Sequence, residues 1–350
     1  MTNILVTDSM DAIQKKLNKG GDIVFQNGTY RITKQLVLKA KSYIRLNGAV
    51  LKRCGNIQSI FLNDCSAKTK AYKGAGNITI VNGTFEGMGS YSPDNLVTFF
   101  HSHDLHIESV TFLDNRCHAL ELNACKNVEV VNCKFLGSNT QQMYQESIQI
   151  DSAYASGFFK SGSTKQSKCY DGTACENITI EGCLFDRSDY RGFPTACIGT
   201  HTQLLGGVQH KGINILQNRF RCDGSGCCLS LIGMKDVLVY SNYFEKCGRV
   251  ARVYSKEYSY NLAGEQARPQ SRDGVCENVK FYDNVECNAG VAYKCTGIYA
   301  KAVGDPHLDI IVISNEFVKS NDYEKYYLSA DNCRNVVDKD NRTRLKSKIT

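Results

Sequence analysis

The chain has 350 residues, of which 42% are hydrophobic and 10% aromatic, and this composition excludes an intrinsically disordered protein. No apolar run approaches the ~20 residues that a membrane-spanning helix needs. The net charge of +7 favours a polyanionic partner, such as an acidic glycan or a nucleic acid. A solvated surface without charge preference is the equal alternative.

The cysteines and the N-terminus bear on location. The count of 17 is odd, which suits a complete disulfide framework poorly, and Cys133 and Cys183 fall at one point of a repeat, inside apolar strands. We therefore expect reduced, mostly structural thiols. The N-terminus lacks the features of a secretory signal. We expect the chain to act where it is made, to leave by lysis or on a virion- or prophage-associated particle, or to have lost its signal.

One pattern organises the chain from residue 77 onward: a turn residue, apolar-x-apolar, a small polar pair, and x-Phe. Bare copies are 23 to 27 residues apart, and longer spacings are bare repeats with insertions. The nine turn residues are Asn77, Asp104, Asn127, Asn177, Gly212, Asp236, Asn278, Asp309 and Asn335.

This period predicts a single-stranded right-handed parallel β-helix. Apolar-x-apolar is a strand with one buried face, and a βαβ unit needs ~30 or more residues. Strands that recur without helices stack on their equivalents, about 4.8 Å apart. Two ladders should result. The first contains Phe85, Phe112, Phe135, Phe185, Phe220, Phe244 and Phe317, and the second contains Asn218, Asn242, Asn284, Asn315 and Asn341.

A second strand precedes the turn in each repeat, and most long insertions follow it. We expect these insertions to form the walls of a groove along one edge of the coil, where binding sites gather. The second strands begin at or near Val97, Leu120, Ile148, Ala196, Leu229, Arg252, Cys295 and Tyr327; the insertions span 152–175, 201–211, 255–276 and 300–308.

The remaining segments complete one continuous domain. Residues 1–76 should form a cap and the first rungs, with a short amphipathic helix over Asp8 to Asn18 and two strands joined by Asn27-Gly28. The repeats occupy 77–341, and 342–350 is predicted to be a basic, solvated tail beyond the last rung.

Several segments of the chain resemble a known superfamily. The opening AIQKKLNKGGDIVFQNGTYRI is similar to the capping segment of pectate-lyase-superfamily β-helices, including phage tailspike-like depolymerases. HALELNACKNVEVVNCKF, QESIQIDSA and ACIGTHTQ resemble rungs of polygalacturonase-like glycoside hydrolases. The resemblance implies action on a polysaccharide, with Gln145-Glu146 at the family's paired aspartates. The chain departs from it by lacking Asp-Asp, Gly-His-Gly and Arg-x-Lys motifs, which removes the basis for homogalacturonan specificity.

Three carboxylates are the candidate acid/base set. With Leu122, Ile150 and Ile198 aligned, Glu121 and Asp151 face outward one rung and two residues apart, about 8 Å between backbones. That separation falls in the ~6.5–9.5 Å range of inverting glycosidases. Glu146, about 11 Å from Glu121, is an alternative acid. The competing interpretations are an exposed surface charge for Glu121 and a strand-ending turn residue for Asp151.

Other side chains are predicted to position substrate. His118 aligns with Glu146, His201 follows Gly199, and each could bind a sugar hydroxyl or shift a carboxyl pKa. Solvated loop residues are the alternative for both. Further candidates are Gln149 above Glu121, Arg252, and the aromatic residues Tyr144, Tyr154, Phe158 and Phe159, for which loop packing is the alternative.

A metal site is not predicted. His101-Ser-His-Asp104 contains two histidines in a short loop, but Asp104 is the turn residue of its repeat. A calcium-assisted lyase would need clustered carboxylates and a basic residue. Arg252 and Lys256 could serve, but they should lie three rungs from Asp151, about 14 Å away.

The sequence therefore predicts a glycoside hydrolase that cleaves an acidic or complex polysaccharide without a cofactor. The alternatives are a lyase or uronate epimerase, with Ca²⁺ if a lyase, and a non-catalytic glycan-binding spike or adhesin. Nucleic acid is disfavoured because the basic residues show no aromatic-interleaved stripe, and no membrane partner is expected. The tailspike likeness implies a homotrimer as one assembly, although no interface is evident in the sequence.

Overall fold

The computed structural model describes residues 1–66, 68–88, 95–138, 146–155, 169–222, 226–287, 295–318 and 326–350. Within them the chain forms one helix, α1 (Met10–Leu17), and a long series of short strands. The strands in chain order are β1 (Thr2–Ile4), β2 (Gly21–Phe25), β3 (Thr29–Ile32), β4 (Leu36–Leu38), β5 (Ser42–Arg45), β6 (Val50–Arg53), β7 (Phe61–Asn63), β8 (Ile78–Glu86), β9 (Val97–Phe100), β10 (His103–Asn115), β11 (Leu120–Asn123), β12 (Lys126–Val131), β13 (Lys134–Ser138), β14 (Glu146–Asp151), β15 (Glu176–Glu181), β16 (Leu184–Asp186), β17 (Ala196–Gly199), β18 (His210–Leu216), β19 (Arg219–Arg221), β20 (Cys227–Leu231), β21 (Met234–Tyr240), β22 (Tyr243–Glu245), β23 (Arg249–Tyr254), β24 (Ser259–Tyr260), β25 (Gln266–Ala267), β26 (Glu277–Tyr282), β27 (Val285–Cys287), β28 (Cys295–Lys301), β29 (His307–Ile313), β30 (Glu316–Phe317), β31 (Tyr326–Asp331), β32 (Cys333–Arg334), β33 (Val337–Lys339), β34 (Arg342–Thr343) and β35 (Lys346–Ile349).

The N-terminal helix covers the start of the coil, as predicted. The Ser9 side chain caps it by accepting a hydrogen bond from the Ala12 amide, which satisfies one of the unpaired donors of the first turn. Ile13 and Leu17 are fully buried. The two strands on either side of Asn27-Gly28 pair with neighbouring rungs rather than with each other.

The strands of the coil form three faces, and each pairs in parallel with its equivalent on the next rung, whereas β24 and β25 form a separate antiparallel pair. We expected two strands per repeat, but the x-Phe segment is a short strand of its own. The first face contains β1, β2, β5, β8, β10, β12, β15, β18, β21, β26, β29 and β33; the second contains β3, β6, β8, β10, β13, β16, β19, β22, β27, β30 and β34; the third contains β4, β7, β9, β11, β14, β17, β20, β23, β28, β31 and β35. This is the predicted parallel β-helix.

The nine predicted turn residues share one backbone conformation. Each has a positive φ, between 51° and 67°, the left-handed region that Asn, Asp and Gly tolerate best. Side chains at this position also bond along the coil, for example Asn127 to Asp104 at 2.9 Å and Asn177 to Asn127 at 3.1 Å. A turn residue with this conformation therefore recurs near the start of the first-face strands from β8 onward.

The predicted phenylalanine ladder fills the coil. From Phe112 to Phe244 successive rings stack with centroids 4.7 to 4.8 Å apart, the spacing of the rungs. The ladder is broken at Glu286, which pairs with Phe244 below and Phe317 above. Stacked rings bury large apolar areas without leaving voids between rungs.

The predicted asparagine ladder runs beside it. The Asn242 Oδ1 accepts from the Asn218 backbone amide at 2.9 Å, and its Nδ2 donates to the Ile215 carbonyl at 2.8 Å. The same contacts recur at Asn284 and Asn315. Each side chain satisfies buried backbone groups at a corner that strands leave unpaired.

The C-terminal segment differs from the expected tail. Lys346–Ile349 forms a strand that pairs in parallel with β31, so these basic residues close the coil instead of extending past it. They remain exposed because nothing pairs with their far edge in the described residues. Among the described residues, no helix is long and apolar enough to cross a membrane.

The asparagine ladder gives a stability test. Asn242→Ala should destabilise the fold by about 2–4 kcal/mol, because it removes hydrogen bonds and leaves the buried Asn218 amide without its acceptor. Urea unfolding followed by circular dichroism measures this. Asn214→Ala, on the outer side of the same coil, should change stability by less than about 0.5 kcal/mol. Equal losses in both variants would contradict the ladder.

Candidate functional site

The predicted carboxylates lie on the third face. The strand register of this face differs from our expectation at one rung. Leu122 pairs with Ile150 as predicted, but Ile198 pairs with Ile148, two residues earlier. The expected alignment of Asp151 with Gly199 is therefore wrong, and Gln149 occupies that place. Because Ile148-x-Ile150 offers two apolar positions two residues apart, alternation alone cannot distinguish these registers.

On the third face, the residues at one aligned position point away from the core on successive rungs. In order this position contains Thr98, Glu121, Gln149, Gly199, Ser230 and Arg252. Gly199 has a φ of 147°, and a Cβ there would lie 2.0 Å from the Ser230 carbonyl oxygen. Only glycine permits this close approach of the two strands.

Glu121 is buried, which excludes the exposed-charge interpretation. Only 3% of its surface is accessible, and its carboxyl group bonds to Asn95 Nδ2 and to Thr98 Oγ1. Burial raises the pKa of Glu121 and outweighs the lowering effect of His118. The pKa of Glu121 is thus shifted upwards from the ordinary value of a glutamate.

Glu146 lies in the opposite electrostatic environment. It is fully buried, and its Oε2 is 3.2 Å from His201 Nδ1. Burial raises the pKa of Glu146, but His201 and then His118 outweigh burial and hold the pKa at about 2. Among the described residues its Oε1 has no hydrogen-bond partner. Glu146 is therefore an ionised carboxylate with one unused acceptor.

His118 interacts electrostatically with both carboxyl groups. As predicted, it aligns with Glu146, and its Nδ1 donates to the Glu146 carbonyl oxygen at 2.7 Å. Burial lowers the pKa of His118, but Cys117, Glu121 and Glu146 outweigh burial and raise it to about 10. The His118 and His201 rings are 6.1 Å apart and nearly parallel. Neither histidine is a fully solvated loop residue.

The Asp151 carboxylate is engaged in hydrogen bonds with neighbouring side chains. It accepts from Gln149 Nε2 at 2.7 Å, Thr200 Oγ1 at 3.0 Å and Thr202 Oγ1 at 3.2 Å. Thr202 also bonds to the Tyr154 hydroxyl. Asp151 is 2% exposed, so it anchors the corner after β17 instead of facing an open groove. This supports the strand-ending interpretation, with hydrogen bonds that the sequence did not reveal.

Lys256 contacts His201, although three rungs were expected to separate it from Asp151. Its ammonium donates to the His201 carbonyl. Burial and Arg252 lower the pKa of Lys256, while Glu146 and Asp151 oppose this. The cause is a loop that turns back along the coil: the Tyr260 amide donates to the Gln203 carbonyl at 2.8 Å. Arg252 itself lies three rungs from Asp151, as expected.

Basic and tyrosine side chains alternate beyond the carboxylates, and we call this set the basic-tyrosine stripe. Arg252 lies over the Tyr254 ring at 4.4 Å, Arg249 over Tyr299 at 4.4 Å, and Lys256 over Tyr258 at 5.2 Å. The stripe consists of Arg249, Arg252, Tyr254, Lys256, Tyr258, Tyr260 and Tyr299, all half-buried. Our expectation that no aromatic-interleaved basic stripe exists is wrong.

A signal for the stripe was present in the sequence. From Arg252 to Tyr260 every second residue is basic or aromatic. The residues between them are the buried Val253, Ser255 and Ser259 and the exposed Glu257. Such alternation places one set of side chains on one side of an extended segment. Tyr154 extends the aromatic surface, with its ring 5.9 Å from that of Tyr260.

The remaining candidate residues are three aromatic side chains, Gln149 and His101. Tyr144, Phe158 and Phe159 lie outside the described residues. Gln149 donates to Asp151, and its Oε1 has no partner among the described residues. His101 directs both ring nitrogens at carbonyl oxygens, those of Ala71 and Cys169, so this ring is committed to packing a loop.

Comparison with known proteins establishes the fold class. No family model matches the chain. It is 27% identical over 347 residues to the plasmin and fibronectin-binding protein A of Streptococcus pneumoniae; the match covers 89% of this chain and 47% of that protein. The chain thus spans about half the length of this curated relative.

Solved structures show the same architecture. A surface adhesin of Streptococcus pneumoniae, PfbA, superposes with a TM-score of 0.79 at 23% identity, covering 98% of this chain and 85% of the adhesin. An exopolygalacturonase from Thermotoga maritima gives 0.63 at 13% identity, covering 97% and 85%. The chain has the fold of a right-handed parallel β-helix, as predicted.

The low pKa of Glu146 predicts a pH-dependent difference in stability. Because its pKa of about 2 lies below the ordinary glutamate value of 4.5, its ionised form stabilises the folded state above about pH 4.5, and this contribution disappears as the pH falls towards 2. Glu146→Gln should therefore be less stable than the wild type by about 2–3 kcal/mol at pH 7, with the gap closing in acid.

Urea midpoints between pH 3 and 7 measure this gap. Glu257→Gln, at an exposed position, is the matched control and should follow the wild type throughout. A gap that stays constant across the range would show that Glu146 is not held in its ionised form by the two histidines.

Proposed function

We propose that this chain is a binding protein of the adhesin type, which holds an acidic glycan on the basic-tyrosine stripe. The observation that carries this proposal is the alternation of cations and aromatic rings along one accessible face. Tyrosine rings stack on the apolar faces of sugars, and arginine binds carboxylate or sulfate groups through paired N–H donors. The net charge of +7 adds long-range attraction for such a ligand.

The burial of the carboxylates supports binding over hydrolysis. A general acid has to come within hydrogen-bond distance of the glycosidic oxygen. Glu121, Glu146 and Asp151 are at most 3% exposed, and Asp151 already accepts three hydrogen bonds. A sugar chain lying on the stripe does not contact them as they stand. The likeness to an adhesin agrees, and we extend its surface location to this chain as part of the proposal.

Hydrolysis is the second candidate, and one observation favours it. Glu121 and Glu146 have pKa values shifted in opposite directions around His118, which is how enzymes separate an acid from a base. Solved relatives of the fold include a polygalacturonase. Hydrolysis would require the covered carboxyl groups to become accessible when the glycan binds.

Binding is tested by one substitution in the stripe and its matched control. Arg252→Ala should weaken binding to an immobilised uronate-rich polysaccharide by about 10-fold, because it removes a cation that lies over a ring. Arg219→Ala removes an equivalent Arg–Tyr pair on the second face, 5.4 Å from the Tyr243 ring, and should leave binding unchanged. Surface plasmon resonance at two salt concentrations gives the affinities.

Incubation with the same uronate-rich polysaccharide distinguishes binding from hydrolysis. A binding protein releases no reducing ends over days, and Glu121→Gln keeps the wild-type affinity. Release of reducing ends that Glu121→Gln and Glu146→Gln abolish would instead establish the hydrolase. Binding only to fibronectin or plasmin, untouched by Arg252→Ala, would contradict the glycan proposal.

A further inference from the structure

Four cysteines converge inside the coil. Cys197 in β17 and Cys228 in β20 are neighbours on adjacent rungs, because Ile198 pairs with Leu229. Cys222 follows β19 and Cys247 follows β22, at the corner that faces them. All four are fully buried. We call them the coil thiol cluster.

The sulfur positions single out one pair. The Sγ atoms of Cys197, Cys222 and Cys228 lie within 4.8 Å of one another, and the Sγ of Cys228 lies 2.7 Å from that of Cys247. A disulfide bond is about 2.05 Å long. Two thiolates on one tetrahedral zinc, each about 2.3 Å from the metal, would be about 3.8 Å apart. The Cys228–Cys247 contact is therefore too close for shared zinc ligation and suits a covalent bond.

Cys228 and Cys247 also lie where a bond between them would link two separate segments of the coil. The two residues are 19 positions apart, with Cys228 in β20 and Cys247 in the corner between β22 and β23. Cys228 lies two residues before Ser230, whose hydroxyl accepts from Arg252, and Cys247 lies two residues before Arg249. A bond between them would fix β20 relative to the start of β23, which carries the cations of the stripe.

We propose that Cys228 and Cys247 form a disulfide that joins two rungs of the coil. The oxidant is a small-molecule disulfide such as oxidised glutathione. The two thiols lose their hydrogens and form the S–S bond, while the oxidant is cleaved to two thiols, so electrons and protons balance. Burial slows attack by such a reagent, so the bond forms when the rungs assemble or open.

The test counts thiols and maps the link in the full chain. One sample is incubated folded with oxidised glutathione, and a second is refolded in oxidised and reduced glutathione. Remaining thiols are then alkylated in denaturant and peptides are analysed by mass spectrometry. We expect two of the 17 cysteines to escape alkylation and one linked peptide pair, Cys228 with Cys247. The oxidised chain should unfold at a higher urea concentration, and a reductant should reverse the shift.

Two variants and a metal analysis provide the controls. Cys247→Ser should abolish the linked pair, whereas Cys276→Ser, another fully buried cysteine of the coil, should retain it. Seventeen alkylated cysteines in both wild-type samples would overturn the proposal without relying on any variant. One equivalent of bound zinc that is lost in Cys228→Ser, with no linked peptide, would also overturn it and identify a metal site instead.

Discussion

Parallel hydrogen bonding between equivalent strands on successive rungs is the constraint on which the rest of the structure depends. It places like residues above one another about 4.8 Å apart, so one favourable side chain is repeated as a ladder. Phenylalanine rings fill the interior in this way, and asparagine amides satisfy buried backbone groups at a corner. The same constraint carries polar groups outside the core, where Glu121, Gln149, Gly199, Ser230 and Arg252 share one position. The candidate site is thus a consequence of register, not of any local motif.

The polar side chains of the third face divide into two zones with different physical character. Near β11 and β14 the carboxyl groups are buried, and His201, threonine hydroxyls and side-chain amides satisfy most of their hydrogen bonds. Further along, cations lie over tyrosine rings and retain partial exposure. Burying the charges of the first zone costs free energy unless each of them is paired. The side chains of the second zone are the more exposed of the two sets.

Features with a local, repeated signature could be predicted from the sequence, and features set by contacts between rungs could not. The turn residues, Phe112 to Phe244, and Asn242 were predictable because each copy shows the same short pattern. The pairing of Ile198 with Ile148 was not, since a shift of two residues preserves alternation. The return of Lys256 to His201 depends on how a long insertion folds. The approach of Cys228 to Cys247 joins two segments whose local patterns carry no signal for each other.

A double-mutant cycle on Glu146 and His201 tests the central claim most directly, because these residues come together only if β14 and β17 have the register described. Urea unfolding of the wild type, Glu146→Gln, His201→Asn and the double variant gives the coupling energy. The structure predicts a coupling of about 1–3 kcal/mol at pH 7, since one partner is a fully buried carboxylate. Losses that add to within about 0.5 kcal/mol would show that the two side chains do not meet and that the rungs are aligned differently.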